Sequence, residues 1–212
     1  MCSRLVKLKL RLFYDSFTLI MNLFALNYDP RLAAEAHADK HVVKMLLEAC
    51  QLLYTAHWIW AYPGLLEHNY SVKIAEEQKK LSVPESMLTA PKSISRPLEP
   101  GFRPAHIHHP CAVWVRQSQG NYLWAAELAL ALAEEYTYRY GKIHSCEAHA
   151  KWLYENVPEY TALDQENFVQ AMYDEYRRDD AVEAYRAYYK GSKGERGLLQ
   201  YTRREKPAFL TS

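Results

Sequence analysis

Residues 42–53 read VVKMLLEACQLL, and this stretch decides the fold class. Every position in it is apolar or small except Lys44, Glu48 and Gln51. A helix that is apolar almost all the way round is buried almost all the way round. The stretch therefore predicts a central, buried helix, and we expect an all-α protein built as a single compact helical domain.

The polar exceptions belong to a longer line of polar side chains. Steps of four, three, four, three and four residues separate its members, which are His37, His41, Lys44, Glu48, Gln51 and Thr55. These steps place all six side chains on one narrow face of a helix. We call this set the polar line.

The polar line has two interpretations. Burial of Lys44 and Glu48 is costly unless the two groups are paired or face water, and a structural ion pair within a core network is the simpler explanation. The alternative is the floor of a cleft in which burial tunes pKa values for chemistry. We favour the cleft because four titratable side chains exceed what an ion pair requires. The catalytic candidates are Glu48, Lys44, His41 and His37.

Composition and charge limit the function classes. The chain has 212 residues, of which 49% are apolar and 24% charged, as expected for one globular domain. A net charge of +1 gives no strong field toward nucleic acid or an anionic membrane. The tail at 190–206 holds six basic and two acidic residues, which is typical of solvated surface or of phosphate contact. The four cysteines lack C-x-x-C spacing, so we predict a reducing, cytoplasmic location without disulfides or membrane spans.

The first twenty residues differ from the rest of the chain. They begin with a basic segment and continue into an apolar run that Asp15 interrupts. We expect Met21 to be the natural start, residues 1–20 to be an upstream extension and residues 21–212 to form the domain. Removing four basic residues and one acidic residue leaves 22 basic and 24 acidic residues, a net charge of −2.

Turn and cap signals predict further helices around the central one. Asp29-Pro30 is typical of a helix start, because an acidic N-cap precedes a proline at the first helical position. Pro63-Gly64 stops this helix, and Gly141 is a C-terminal cap for a later one. The predicted helices cover residues 30–60, 69–81, 110–140, 146–156 and 180–190. Between residues 83 and 110 lie six of the ten prolines, which predicts a long Pro-rich loop. A loop of this length is typical of a lid, a binding loop or a disordered segment.

A histidine-rich motif, HIHHP at residues 106–110, lies where this loop enters the next helix. The first turn of a helix favours anions through its free N–H groups and its dipole. Capping and aromatic packing would explain much of the same pattern. This motif and the segments that follow it offer candidate substrate-binding residues, and the polar line adds Gln51. The full set is Gln51, His108, His109, Arg116, Asn121, Tyr122, Arg139 and Lys142.

The histidines also permit a metal site. His37 and His41 lie one turn apart, and His108 or His109 would have to supply a third ligand. The H-E-x-x-H glutamate is missing, because Ala38, Asp39 and Lys40 separate the first pair. The chain lacks a phosphate-binding glycine loop and a G-x-S-x-G motif. We therefore predict no metal, no cofactor and no nucleotide cofactor.

Two resemblances add to this reading. From residue 21 onward the chain resembles a family of small helical proteins common in bacteriophages and bacteria. The matching segments are MNLFALNYDP (21–30), HADKHVVKMLLEACQLLYTAH (37–57), HHPCAVWVRQSQGNYLW (108–124), EEYTYRYGKIH (134–144), DAVEAYRAYY (180–189) and TRREKPAFL (202–210).

The second resemblance concerns the layout of residues 21–116. LLEACQLL at residues 46–53, followed by GFRPAHIHHPCAVWVR at 101–116, is similar to the arrangement of pyrimidine-dimer DNA glycosylases of the endonuclease V type. The resemblance implies that Glu48 is the catalytic carboxylate and that His109 or Arg116 holds the DNA backbone. That family uses its N-terminal amine as nucleophile, and Lys44 is a substitute if burial lowers its pKa.

Three hypotheses follow for the function. The leading one is a DNA-acting enzyme of the base-excision type, with DNA as its partner and aromatic side chains flanking an extruded base. The second is a metal-dependent enzyme that acts on a small molecule or nucleotide through His37 and His41. The third is a non-catalytic, phage-type interaction protein in which the polar line is a buried network.

Overall fold

The computed structural model describes residues 23–67 and 80–211, and this part of the chain is helical without a β-strand. The all-α prediction is confirmed. In chain order the α-helices of the described residues are α1 (Pro30–Ala36), α2 (Asp39–Ala61), α3 (Pro110–Val115), α4 (Gln119–Tyr140), α5 (Glu147–Glu155), α6 (Ala181–Tyr188) and α7 (Ala208–Thr211). None of these helices is both long enough and apolar enough to cross a membrane.

Helices α2 and α4 form the centre of the fold. They pack along each other, α1 and α5 pack on α4, and α3 packs on α2. Leu46, Leu53 and Trp58 of α2 are almost completely buried, and the buried apolar side chains form one cluster. The prediction of a buried central helix is therefore confirmed.

The predicted helix at 30–60 is wrong in one respect, because it is broken at residues 37–38. The first amides of α2 donate to groups from the end of the chain. Ala38 N donates to the Tyr189 hydroxyl at 2.7 Å, and Asp39 N donates to the Gln200 carbonyl at 2.8 Å. Amides at a helix start need partners from outside the helix, and here distant residues supply them.

The predicted helix at 110–140 is also two helices, α3 and α4. Ser118 caps the second one, since its hydroxyl accepts from Asn121 N. The amides of Gln119 and Gly120 donate to the carbonyls of residues 162 and 163. A Cβ atom at Gly120 would lie 2.4 Å from Gln165 N, so glycine lets this segment approach the start of α4.

The other local predictions agree with the structure. The Asp29 carboxylate accepts from the amides of Arg31 and Leu32, and Gly141 caps α4 at φ 64°. Helices α5 and α6 lie within their predicted ranges, but a π-helical turn, Tyr189–Lys193, follows α6. The predicted helix at 69–81 lies almost entirely outside the described residues.

The Pro-rich loop is packed against the core. It contains a 3-10 turn, Glu85–Met87, and an isolated bridge between Lys92 and Pro100. The indole of Trp58 donates to the Phe102 carbonyl at 2.9 Å, and Phe102 is buried. These contacts hold the loop beside α2, next to the polar line.

Candidate functional site

The polar line lies at the boundary between core and solvent. The Glu48 side chain is only 5% exposed, whereas that of Lys44 is 56% exposed, and Lys44 Nζ lies 3.1 Å from Glu48 Oε1. Helix α2 thus carries a buried carboxylate whose cation partner reaches solvent. A pair of this kind is accessible from one side, in contrast to an ion pair sealed in the core.

The segment that joins the Pro-rich loop to α3 runs along the polar line. At one end, the Thr55 hydroxyl donates to the Ala105 carbonyl and accepts from the Ala105 amide, at 3.1 and 3.0 Å. At the other end, burial raises the pKa of the Cys111 thiol, and the nearby Glu48 carboxylate adds to the shift. The HIHHP motif therefore passes beside α2 between Thr55 and Glu48.

His109 is buried within this segment. Its Nδ1 accepts from Cys111 N at 3.2 Å and so caps α3. Burial lowers the pKa of His109 to about 4, so the ring is neutral at pH 7 and carries its proton on Nε2. Nε2 is buried and has no hydrogen-bond partner among the residues described in the structure.

His37 and His41 meet although they lie on either side of the helix break. The Phe24 ring packs against both, with centroid distances of 6.0 and 5.3 Å. His37 Nδ1 hydrogen-bonds to the Ala33 carbonyl at 2.6 Å, and His41 Nδ1 lies 2.6 Å from the Tyr189 hydroxyl. Burial lowers the pKa of His37 to about 4 and that of His41 to about 3, so both rings are neutral at pH 7.

Lys193 is the site residue that the sequence analysis missed. It is 5% exposed, and its Nζ donates to the Tyr188 hydroxyl at 3.1 Å. The ammonium group also lies over the rings of Phe24 and Tyr188, 5.5 and 4.7 Å from their centroids. Within the described ranges, no carboxylate forms an ion pair with it. Nothing in the sequence of the basic tail indicates that Lys193 is buried.

Electrostatic interactions connect Lys193 to the polar line. Burial is the main cause that lowers its pKa to about 8, and the cations Arg196 and Lys44 lower it further, while Glu48 opposes them. Lys193, Lys44 and Arg196 also lower the pKa of His41. We call His41, Lys44, Glu48 and Lys193 the amine–carboxylate cluster. It offers a buried acid, a buried amine and a neutral imidazole in one region.

Three predicted binding residues have partners within the protein. Arg116 Nη1 donates to the Ile107 carbonyl at 2.6 Å, which fixes the HIHHP segment. The Asn121 side chain donates to Trp114 O and accepts from Glu166 N, and it is fully buried. The buried Tyr122 hydroxyl donates to Leu153 O and contacts His57. These contacts give Asn121 and Tyr122 a structural role.

Arg139 lies in a separate, buried ion network. Its guanidinium contacts Glu135 Oε1 at 2.6 Å and Asp39 Oδ1 at 2.9 Å, and its side chain is 0% exposed. Arg204 contacts the other oxygen of Glu135 at 2.8 Å. Because both carboxylates are engaged by arginine, this network joins α4, the start of α2 and the C-terminal tail. The guanidinium of Arg139 is thus buried and engaged within the protein.

The remaining predicted residues lie at or near the surface. Gln51 and His108 are half-buried along the polar line, and Lys142 is exposed beyond the end of α4. Among the residues described, no three His, Cys, Asp or Glu side chains group closely enough to hold a metal ion. The three-ligand set that the metal hypothesis requires is not found in that part of the chain.

Comparisons with protein-family models, curated proteins and solved structures found no match to this chain.

Proposed function

We propose that the protein is a DNA-acting enzyme of the base-excision type in which Glu48 is the catalytic carboxylate. The observation that carries this proposal is the burial of Glu48 beside amine groups, on the polar line of a mostly apolar helix. A buried carboxylate of this kind is expensive to maintain for stability alone. It is also the group that removal of a base requires, because cleavage of the bond between base and sugar develops positive charge on the sugar.

The surroundings of Glu48 support the same chemistry. An amine can attack the sugar carbon as the base leaves, and the cluster contains two amines, on Lys44 and Lys193. The exposed cations Lys44 and Arg196 offer contacts for the phosphates on either side of the target nucleotide. His109, two residues before Cys111 in the segment that runs along the polar line, contributes a buried N–H donor.

The first prediction concerns Glu48. We expect Glu48→Gln to lower the rate of base release by about a hundredfold or more, because the amide keeps the shape of the side chain but neither its charge nor its proton transfer. The assay is single-turnover cleavage of oligonucleotides that carry damaged, modified or missing bases. Circular dichroism checks that the variant is folded.

Glu127→Gln is the matched control, since Glu127 is an exposed residue of α4. It should leave the cleavage rate unchanged. If Glu48→Gln changes stability but the wild-type protein cleaves no DNA in the panel, the base-excision proposal fails. That result would favour an interaction protein with a buried polar network.

A further inference from the structure

A buried cation normally has an acid partner, and Lys193 departs from this rule. Arg139, the other fully enclosed cation described above, contacts two carboxylates within 2.9 Å. Among the residues that the structure describes, the direct contacts of Lys193 Nζ are the Tyr188 hydroxyl and two ring faces. Ring faces and one neutral oxygen compensate less of the lost hydration than a carboxylate does. The site therefore stabilises the ammonium ion less than water does, which shifts the balance toward the neutral amine.

The backbone brings Lys193 into this position. Helix α6 ends at Tyr188, and the next turn, Tyr189–Lys193, is π-helical. Lys190 and Arg196, three residues before and after, remain exposed. A π-helical turn is rare and is often found at functional sites. Here it directs one of several tail cations into the protein, against Phe24.

From this geometry we propose that Lys193 is a nucleophilic lysine that binds a carbonyl compound as an imine. The groups that face it come from four parts of the chain. The Phe24 ring lies before α1, and His41 belongs to α2. Lys44 and Glu48 belong to α2, Tyr188 to α6, and Arg196 to the tail that follows the π-helical turn.

The charges around Lys193 favour the reactive form of the amine. Burial, Arg196 and Lys44 hold its pKa near 8, so roughly one molecule in ten has a neutral amine at pH 7. An ordinary lysine with a pKa of about 10.4 is almost entirely protonated at this pH. The neutral fraction supplies the lone pair that attack on a carbonyl requires.

The reaction balances without an oxidant or a cofactor. The Nζ lone pair attacks the carbonyl carbon and forms a carbinolamine. Its hydroxyl group takes up a proton and leaves as water, and the nitrogen lone pair forms the C=N bond. If the proposed function is right, the carbonyl is the aldehyde of a ring-opened sugar at an abasic site. Only that identification rests on the proposed function.

The second prediction tests the amine directly. Folded wild-type protein is treated at about pH 7 with a limiting amount of formaldehyde and cyanoborohydride, and methylation of each lysine is followed by peptide mass spectrometry. We expect Lys193 to be methylated about tenfold faster than Lys190 or Lys40, because its lowered pKa supplies neutral amine at this pH. Its rate should rise with pH and level off above about pH 8.

Two variants complete the test. Lys193→Met should abolish the fast methylation, and Lys190→Met, the matched change at an exposed lysine, should leave it intact. Methylation of Lys193 no faster than that of Lys190, or only after unfolding in urea, would overturn the inference. The labelling uses the wild-type chain, so it remains decisive even where Lys193→Met does not fold.

The outcome is separable from that of the proposed function. Fast labelling of Lys193 in a protein that cleaves no DNA would leave the amine site standing and remove the DNA substrate. If DNA cleavage depends on Glu48 but Lys193 does not react with formaldehyde, the DNA-acting function stands and the amine site is ruled out. When both hold, borohydride should trap Lys193 covalently on DNA that contains an abasic site.

Discussion

Acidification from about pH 6.5 to about pH 4 is expected to unfold the protein, because four buried histidines are neutral in the folded state. Burial lowers the pKa of His37, His57 and His109 to about 4. Burial also lowers the pKa of His41 to about 3, and nearby cations contribute. In the unfolded chain these rings have ordinary pKa values near 6.5.

The sign follows from the number of protons that each state binds. Between about pH 4 and 6.5 the unfolded chain binds protons that the folded protein does not, so stability falls as the pH falls through this range. When its pKa shift is fully expressed, each ring lowers the free energy of unfolding by roughly 3 kcal/mol. A typical domain is stable by only about 5–15 kcal/mol, so four such rings remove most or all of that margin.

Urea denaturation followed by circular dichroism at a series of pH values measures this effect. His57→Gln removes one titrating ring and should weaken the dependence on pH, while His144→Gln, at a half-buried position near the surface, should not. An unfolding free energy that is the same near pH 4.5 as near pH 7 would contradict the prediction. An equal effect of His57→Gln and His144→Gln on the pH dependence of stability would contradict it as well.

The second large effect is expected for Arg139→Met, which should lower the free energy of unfolding by about 3–5 kcal/mol. The change leaves Glu135, whose side chain is 4% exposed, with Arg204 as its remaining cation. It also removes the contact of Arg139 with Asp39 at the start of α2. Loss of one partner from a buried ion network costs more than the network gains over an apolar substitute, because a charge is left uncompensated.

A surface arginine, Arg31, provides the control for this measurement. Arg31→Met breaks a pair whose side chains are 72% and 67% exposed, and it should cost less than about 1 kcal/mol. The double variant Arg139→Met with Glu135→Leu should recover part of the loss, because it removes the stranded charge. A loss for Arg139→Met no larger than that for Arg31→Met would show that the network contributes little.

Features that depend on local sequence could be predicted well. The buried helix around residues 42–53, the cap at Asp29 and the end at Gly141 all rest on residues within a few positions of one another. The two helix breaks could not be predicted in this way. They depend on partners from residue 189, residue 200 and residues 162–163, which lie far away in the chain.

The site shows the same division. The pairing of Lys44 with Glu48 was one of the two interpretations that the sequence offered, because the two residues are one turn apart on one helix. It gave no sign of Lys193, whose burial depends on a π-helical turn and on the ring of Phe24, 169 positions earlier. Arg139 was interpreted as a candidate substrate-binding residue, since nothing in its neighbourhood along the chain shows that Asp39 approaches it.

The phenol of Tyr189 links the backbone to the chemistry of the cluster. Its oxygen accepts from Ala38 N, and among the described residues the acceptor within reach of its own proton is His41 Nδ1, 2.6 Å away. That assignment leaves the imidazole proton on Nε2, which makes His41 a donor at its other end. The hydroxyl that receives the Ala38 amide thus also orients the imidazole, so loss of that hydroxyl in Tyr189→Phe would remove a partner from the helix junction and from His41 at once.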